Sequence, residues 1–151
     1  MSELLEIKKV LLEACKKHQL QVAENSKKEM KEIQQQANEY GLPKDRYDSF
    51  RSQLLRKRDL HAEQYQKAID ELNTLKMIDT KNALDKVQFG ALLKTNLQDL
   101  FIAIGIGKLN IDSGTFFVIS PGVPIFKALA DKRKGDKINF NGRDIEIIDI
   151  A

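Results

Sequence analysis

The chain has 151 residues, with 25 Lys or Arg and 22 Asp or Glu, and a formal net charge of +3 at pH 7. This length fits one ordinary domain or a small domain with an elongated extension, and charge so evenly balanced argues against general DNA binding, which usually shows a basic face or stripe. The sequence has no apolar run of about 18 residues and no signal-peptide pattern, so we expect a cytoplasmic protein without a membrane partner.

Residues 1–78 are predicted to form an antiparallel coiled-coil hairpin, because Gly41 and Pro43 interrupt a stretch that has no other Gly or Pro before Gly90. Apolar or small residues recur in steps of three and four, which predicts one helix over residues 3–40 and another over residues 45–77. The seam positions are Leu4, Ile7, Leu11, Ala14, Val22, Ile33, Ala37 and Tyr40 in the first helix, and Tyr47, Phe50, Leu54, His61, Tyr65, Ala68, Leu72 and Leu75 in the second. The lone Cys15 excludes an intrachain disulfide and is expected to be a small helix residue in a reducing compartment.

Folding the chain back about residue 43 tests whether the two helices match. The pairs predicted to lie opposite one another are Leu11 with Leu75, Ala14 with Leu72, Ile33 with Leu54, Gln36 with Phe50, Glu29 with Lys57 and Asn25 with His61. Apolar positions mostly meet apolar ones, so a single hairpin explains both helices, with arms of roughly 50 Å at about 1.5 Å per residue. Because such a hairpin covers its own seam, we expect a monomer.

Residues 79–151 are predicted to form a compact α+β domain with an antiparallel sheet. Strands are expected over residues 87–95, 100–106, 115–119, 137–140 and 144–150, and the dipeptide Asn141-Gly142 between the last two is a strong hairpin signal. One short helix is expected over residues 124–132. Five strands and one helix in a segment of this length indicate a single small domain.

The sequence of residues 128–136, Ala-Leu-Ala-Asp-Lys-Arg-Lys-Gly-Asp, resembles the Ala-Leu-x-Gly-Lys-x-x-Gly-Asp stretch of the bacterial Gre transcript-cleavage factors. In that family an N-terminal antiparallel coiled coil precedes an FKBP-like C-terminal domain, so the resemblance covers nearly the whole chain. Two departures lie in this region. Asp131 replaces a glycine, and Val123-Pro124-Ile125-Phe126 stands where the family has Ser-Pro-Ile-Gly, with Ser120-Pro121 as a displaced equivalent.

The family's tip sequence, Gly-Asp-Leu-Ser-Glu-Asn, corresponds to residues 44–49, where Asp45 and Asp48 keep the two acids and their spacing. The resemblance implies that the coiled coil enters the secondary channel of bacterial RNA polymerase, where Asp45 and Asp48 help to hold a Mg²⁺ ion shared with the polymerase. Residues at i and i+3 lie on one helix face, and Mg²⁺ prefers oxygen ligands. The alternative is structural: Asp45 as an N-cap and Asp48 as a favourable charge near the helix start.

Three residues flank these acids. Arg46 and Arg51 either contact RNA phosphates or pair with the acids and prevent metal binding. Tyr47 either stacks at the tip or packs in the seam against Tyr40.

The resemblance also implies a docking surface on the C-terminal domain, at the rim of the polymerase channel. The expected docking residues are Ser120, Pro121, Val123, Pro124 and Lys127. Such a protein is no enzyme by itself; it completes a polymerase site and meets nascent RNA only indirectly. Two alternatives stay open: a channel-binding competitor that does not stimulate cleavage, and a coiled-coil adaptor unrelated to polymerase.

Two basic clusters, Lys27-Lys28-Lys31 and Arg56-Lys57-Arg58, come level in the predicted register. They form either a patch that faces nucleic acid or an acidic polymerase surface, or an ordinary solvated helix face. His18 and His61 are too far apart in this register to share a metal ion, and are predicted to be polar seam residues that fix the register.

Overall fold

A computed structural model describes residues 3–42 and 49–151. The fold class is α+β, as predicted: a long helical hairpin is followed by a small, mostly antiparallel sheet with one short helix. Contacts group the chain into two compact units, one of Met1–Lys16 with Thr74–Ala151 and one of Lys17–Asn73. The division of the chain into residues 1–78 and 79–151 stays a prediction. In the described ranges, no helix combines the length and the apolar character that a membrane span requires.

The two long helices are α1 (Glu3–Tyr40) and α2 (Ser49–Leu75). The bounds of α1 are the predicted ones. It ends because Gly41 adopts a left-handed backbone with φ of +88°, and its N–H donates to the Ala37 carbonyl at 3.1 Å, a common helix termination. Helix α2 ends two residues before the predicted end, where the Met77 N–H bonds to the Thr74 carbonyl in a tighter turn.

The seam of α1 differs from the predicted one in its middle. Val22 is exposed, although it was predicted in the seam, and Ala14 is only half-buried. The buried positions are instead Cys15, Gln19, Ala23, Ser26, Ile33 and Ala37. Their spacing follows steps of three and four or their sums, but Gln19 and Ser26 are polar and Ala23 and Ala37 are small. Large apolar residues are therefore a poor guide to this part of the seam, because Val22 is exposed and its neighbour Ala23 is buried.

The register also differs at the end of the hairpin next to Gly41. Ile33 and Leu54 share a buried cluster with Ala37, in agreement with their predicted pairing. Phe50, however, packs on Tyr40 with ring centroids 5.0 Å apart, whereas it was predicted opposite Gln36. The prediction is therefore wrong there by about one helical turn.

The sheet has six strands, one more than predicted. They are β1 (Leu92–Thr95), β2 (Leu100–Ile102), β3 (Gly107–Ile111), β4 (Gly114–Ile119), β5 (Lys137–Phe140) and β6 (Arg143–Ile150), with α3 (Pro124–Leu129) between β4 and β5. Their order across the sheet is β3-β4-β2-β1-β6-β5, and every pairing is antiparallel except the parallel pair of β2 and β4. The sheet is therefore mostly antiparallel, as predicted, with this one parallel pair as the exception.

In the sheet domain, three predicted elements differ from the structure by more than one residue at an end. Strand β1 starts at Leu92, because Val87 pairs with the segment after α3: its N–H donates to the Lys132 carbonyl at 2.8 Å. Strand β2 ends at Ile102, four residues before the predicted end. Gly107, with a φ of +91°, starts β3, which the sequence analysis does not predict. Helix α3 ends at Leu129, since Ala130 has extended geometry and Asp131 a φ of 65°.

The sheet has a hydrophobic core on each face. On one face, Leu92 and its partner Phe101 pack with residues from the two helix ends in the same unit. Those helix-end residues are Leu4, Leu5, Leu11, Leu12, Cys15 and Leu75, followed by Ile78. On the other face, Leu93 and its partner Leu100 pack with Leu129 of α3. Because side chains alternate along a strand, neighbouring residues of β1 serve opposite cores.

One charged residue lies in the first of these cores. The side chain of Lys8 is 0% exposed, and its Nζ has no hydrogen-bond partner among the described residues. Burial lowers the pKa of Lys8, and the negative charge of Asp79 opposes that shift. Burial also raises the pKa of the nearby Cys15 thiol to about 12, so the thiol stays protonated at neutral pH.

Replacing Lys8 by methionine is expected to stabilise the protein. Lys8→Met keeps an unbranched side chain while removing an unpaired buried ammonium, so the free energy of unfolding should rise by about 1–3 kcal/mol at neutral pH. The folded state binds fewer protons than the unfolded state between the lowered pKa and the ordinary lysine pKa of about 10.4, so wild-type stability should climb with pH in that window. The advantage of Lys8→Met should shrink accordingly.

Urea unfolding of both proteins from neutral to alkaline pH measures these effects. Lys9→Met is the matched control, because Lys9 is a partly exposed neighbour whose ion pair with Glu6, at 3.3 Å, lies on the surface. The prediction that the buried Lys8 ammonium destabilises the protein is wrong if Lys8→Met is no more stable than the wild type. It is also wrong if the substitution leaves the pH dependence of the unfolding free energy unchanged.

Candidate functional site

The predicted tip residues Asp45, Arg46, Tyr47 and Asp48 lie outside the described residues, so their role in binding Mg²⁺ stays a prediction. Within residues 3–42 and 49–151, no group of three or more His, Cys, Asp or Glu side chains is placed to hold a metal ion.

Arg51 lies beside that segment and joins the two helix ends. Its Nε donates to the Gly41 carbonyl at 2.7 Å, ten residues earlier in the chain. This carbonyl follows the last turn of α1, where backbone acceptors have no partner within the helix. A charged donor suits it, because the carbonyl end of a helix carries partial negative charge. Arg51 thus ties the start of α2 to the end of α1.

Two aromatic rings reinforce the same junction. Tyr40, the last residue of α1, packs on Phe50 with their ring planes inclined by 57°. Despite this contact, Phe50 is 54% exposed. Together with Arg51, this contact holds the two helix ends side by side.

The five predicted docking residues fall into one turn and the first turn of α3. Ser120 follows β4, and its carbonyl accepts the Val123 N–H at 3.4 Å. Val123 is the N-cap residue of α3, and Pro124 occupies the first helical position, where a missing N–H costs nothing. The Lys127 N–H donates to the Val123 carbonyl at 3.3 Å. Pro121, Pro124 and Lys127 are exposed, so this segment offers two rigid apolar rings and one cation to solvent.

The segment that resembles the Gre stretch forms a tight loop between α3 and β5. Asp131 has a φ of 65°, in the left-handed region that favours glycine. The family pattern has glycine at this position. Asp131 replaces that glycine but keeps the left-handed backbone that glycine adopts easily. Asp is one of the few other residues that tolerate it, and its carboxylate is 3.4 Å from the Lys86 ammonium.

The Gly-Asp pair that ends the stretch also has a structural basis. Gly135 has a φ of +91°, and its N–H donates to the Ile147 carbonyl at 2.7 Å. The Asp136 carboxylate accepts the Arg133 N–H at 2.8 Å and closes the loop. The Arg133 guanidinium donates to the Asp85 carboxylate at 2.9 Å and holds the pKa of Asp85 below its usual range. Gly135 and Asp136, which are both part of the family pattern, therefore stabilise the loop.

The two basic clusters behave differently. Arg58 bonds to the Gln34 side chain at 2.6 Å and to Asp59 at 2.8 Å, so its guanidinium serves the hairpin. Lys27, Lys28 and Lys31 line a shallow depression on α1. These three side chains form no ion pair or hydrogen bond with the part of the chain that the structure describes. His18 is exposed, and His61 is half-buried with its Nδ1 3.1 Å from Gln64.

Comparison with known proteins adds a distant structural likeness. No protein-family model matches the chain, and no curated protein matches it. Among solved structures, the crystal structure of GreA factor homolog 1 (Gfh1) protein of Thermus thermophilus matches at 14% identity, covering 90% of this chain and 94% of that chain, with a TM-score of 0.35. Similarity at this level carries no conclusion about activity or partners.

Removing the Arg51 side chain is expected to loosen the helix ends next to the tip. Arg51→Ala deletes a charged donor to a helix-end carbonyl, so the last turn of α1 should open more easily by about 1 kcal/mol, a roughly fivefold faster hydrogen exchange there. Native-state amide exchange resolves this turn from the rest of α1. Arg56→Ala removes the same charge from an exposed position of α2 and should leave exchange unchanged. Equal effects of the two variants would show that charge, not the Gly41 bond, matters.

Proposed function

We propose that this protein is a Gre-like transcription elongation factor. It binds bacterial RNA polymerase through the secondary channel and modulates elongation or the cleavage of backtracked RNA. The observation that carries the proposal is the loop after α3: Asp131 has a left-handed backbone at the position where the Gre pattern has glycine, and Gly135 and Asp136 occupy the turn that closes the loop. The order of elements, a long hairpin followed by a small sheet domain, supports it.

In this proposal the turn before α3 docks on the polymerase. Pro121 and Pro124 offer apolar surface that loses little conformational entropy on binding, because their rings already restrict the backbone. Lys127 provides a cation beside them for an acidic partner surface. Ser120 and Val123 contribute through the backbone bonds that shape the turn.

The tip acts in the polymerase active site. Asp45 and Asp48 connect to helix ends that Arg51, Tyr40 and Phe50 hold together, so the pair is carried on a fixed base. Mg²⁺ stabilises the attacking and leaving oxygens in phosphoryl chemistry. The part of the two carboxylates is to add hard oxygen ligands to an ion that the polymerase alone holds weakly. The protein is then an accessory factor and no enzyme by itself.

Stalled elongation complexes with Mg²⁺ test this function. The purified protein is expected to stimulate transcript cleavage. The double variant Asp45→Ala with Asp48→Ala should reduce cleavage to the level without factor, because the metal loses two ligands, while binding to polymerase persists. Glu63→Ala, which removes one exposed carboxylate from α2, is the control and should retain full stimulation.

Two results would overturn the proposal. Binding of the wild type to polymerase with inhibition instead of cleavage would identify a channel-binding competitor. Absence of polymerase subunits in a pull-down from a bacterial lysate would leave the coiled-coil adaptor.

A further inference from the structure

A cavity of about 480 Å³ opens in the C-terminal sheet domain, within the size range of ligand sites. Three separate parts of the chain line it: the turn between β1 and β2, the start of α3, and the β5–β6 hairpin. Four of its apolar lining residues, Leu100, Ile125, Phe140 and Ile145, belong to one core cluster or pack against it. The other lining residues are the buried Thr95 and the exposed Leu97, Gln98, Asn141 and Arg143. The cavity therefore combines an apolar wall with a rim that is exposed and mostly polar.

Hydrogen bonds hold one side of this rim in place. The Thr95 hydroxyl donates to the Gln98 carbonyl at 2.5 Å and accepts the Leu97 N–H at 3.1 Å. Asn96 ties the same turn to β6, with its amide donating to the Asp144 carbonyl at 3.0 Å and accepting the Glu146 N–H at 2.8 Å. A rim fixed in this way loses little entropy when a ligand enters.

Arg143 supplies the charge of this site. Its side chain is exposed, and it forms no ion pair with any residue in the described ranges. The adjacent carboxylate, Asp144, instead accepts the Asn139 amide at 2.9 Å. A guanidinium presents a planar fork of donors that matches a carboxylate in two parallel bonds. A ligand with a carboxylate at the rim and an apolar group in the cavity would satisfy both features.

The geometry points to a peptide-binding site: we propose that this cavity takes an aliphatic side chain of a partner protein, next to an acidic residue that pairs with Arg143. A peptide segment is favoured because the cavity is open at its rim, where Leu97 and Gln98 are exposed. In addition, Ile125, in the first turn of α3, forms part of the cavity wall and lies next to the exposed Pro124. The site stands on its own chemistry and does not require the partner to be polymerase.

Two capped dipeptides test the proposal by chemical-shift titration of the full-length protein. Acetyl-Leu-Asp-amide is expected to shift the backbone amides of Leu100, Ile125 and Ile145 saturably. Acetyl-Leu-Asn-amide has the same size without the charge, and should bind about tenfold more weakly, since it lacks the charge-assisted bonds. Arg143→Gln should lower the affinity for the Asp peptide by about tenfold and remove the preference between the two peptides.

Lys137→Gln is the matched control. Lys137 lies on the same hairpin and alternation places it on the face opposite Phe140, so its loss of charge should leave both affinities unchanged. Filling the cavity with Ile125→Trp should weaken both peptides, and thermal unfolding of each variant verifies that the domain stays folded. The proposal is overturned if neither peptide shifts the lining residues, if both bind equally to the wild type, or if Arg143→Gln changes nothing. Saturable binding of N-acetylleucine without the Asp peptide would also reject it, in favour of a small free acid.

Discussion

The packing of the helix ends on one face of the sheet is the interaction on which the rest of this structure depends. Two paired helices bury little apolar surface per residue, and helices in proteins gain most of their stability from tertiary packing. Among the described residues between Lys17 and Asn73, the buried hydrophobic cluster consists of Ile33, Ala37 and Leu54, with Leu55 packed against it. Leu4, Leu5, Leu75 and Ile78, by contrast, share a core with Phe101 and Val118 of the sheet. The hairpin is therefore most firmly held where its two helices meet the sheet in one compact unit.

The sequence was sufficient to predict the helices but not how they pair. Gly41 and the absence of other helix breakers specify where α1 ends, so its bounds agree with the prediction. The contact positions in its middle are Gln19, Ala23 and Ser26, which carry too little apolar surface to be distinguished from the solvent-facing side. The register at the far end depends on Tyr40 packing on Phe50 and on Arg51 bonding to Gly41, and no periodicity predicts either contact.

The sheet domain shows the same division between local and non-local information. Strands β5 and β6 agree with the prediction because the Asn141-Gly142 turn is a local signal; Asn141 has a φ of 52° and Gly142 one of +80°. Strand β3 and the parallel pairing of β2 with β4 depend on which strands meet in space. The cavity was missed for the same reason, since its lining residues are up to about fifty positions apart and form no motif.

Lys8 and Arg143 form no ion pair with any residue that the structure describes, and together they illustrate how location decides what a charge does. Lys8 is fully buried, so desolvation disfavours its charged form, and its Nζ makes no hydrogen bond with the described residues. It costs stability and offers nothing to a ligand. Arg143 keeps its hydration at the rim of an apolar cavity, so the free protein bears little cost, and a guanidinium gives up its weakly held water readily for a carboxylate. The unpaired charge that marks a binding site is the one that solvent already satisfies, and that criterion selects Arg143 over Lys8.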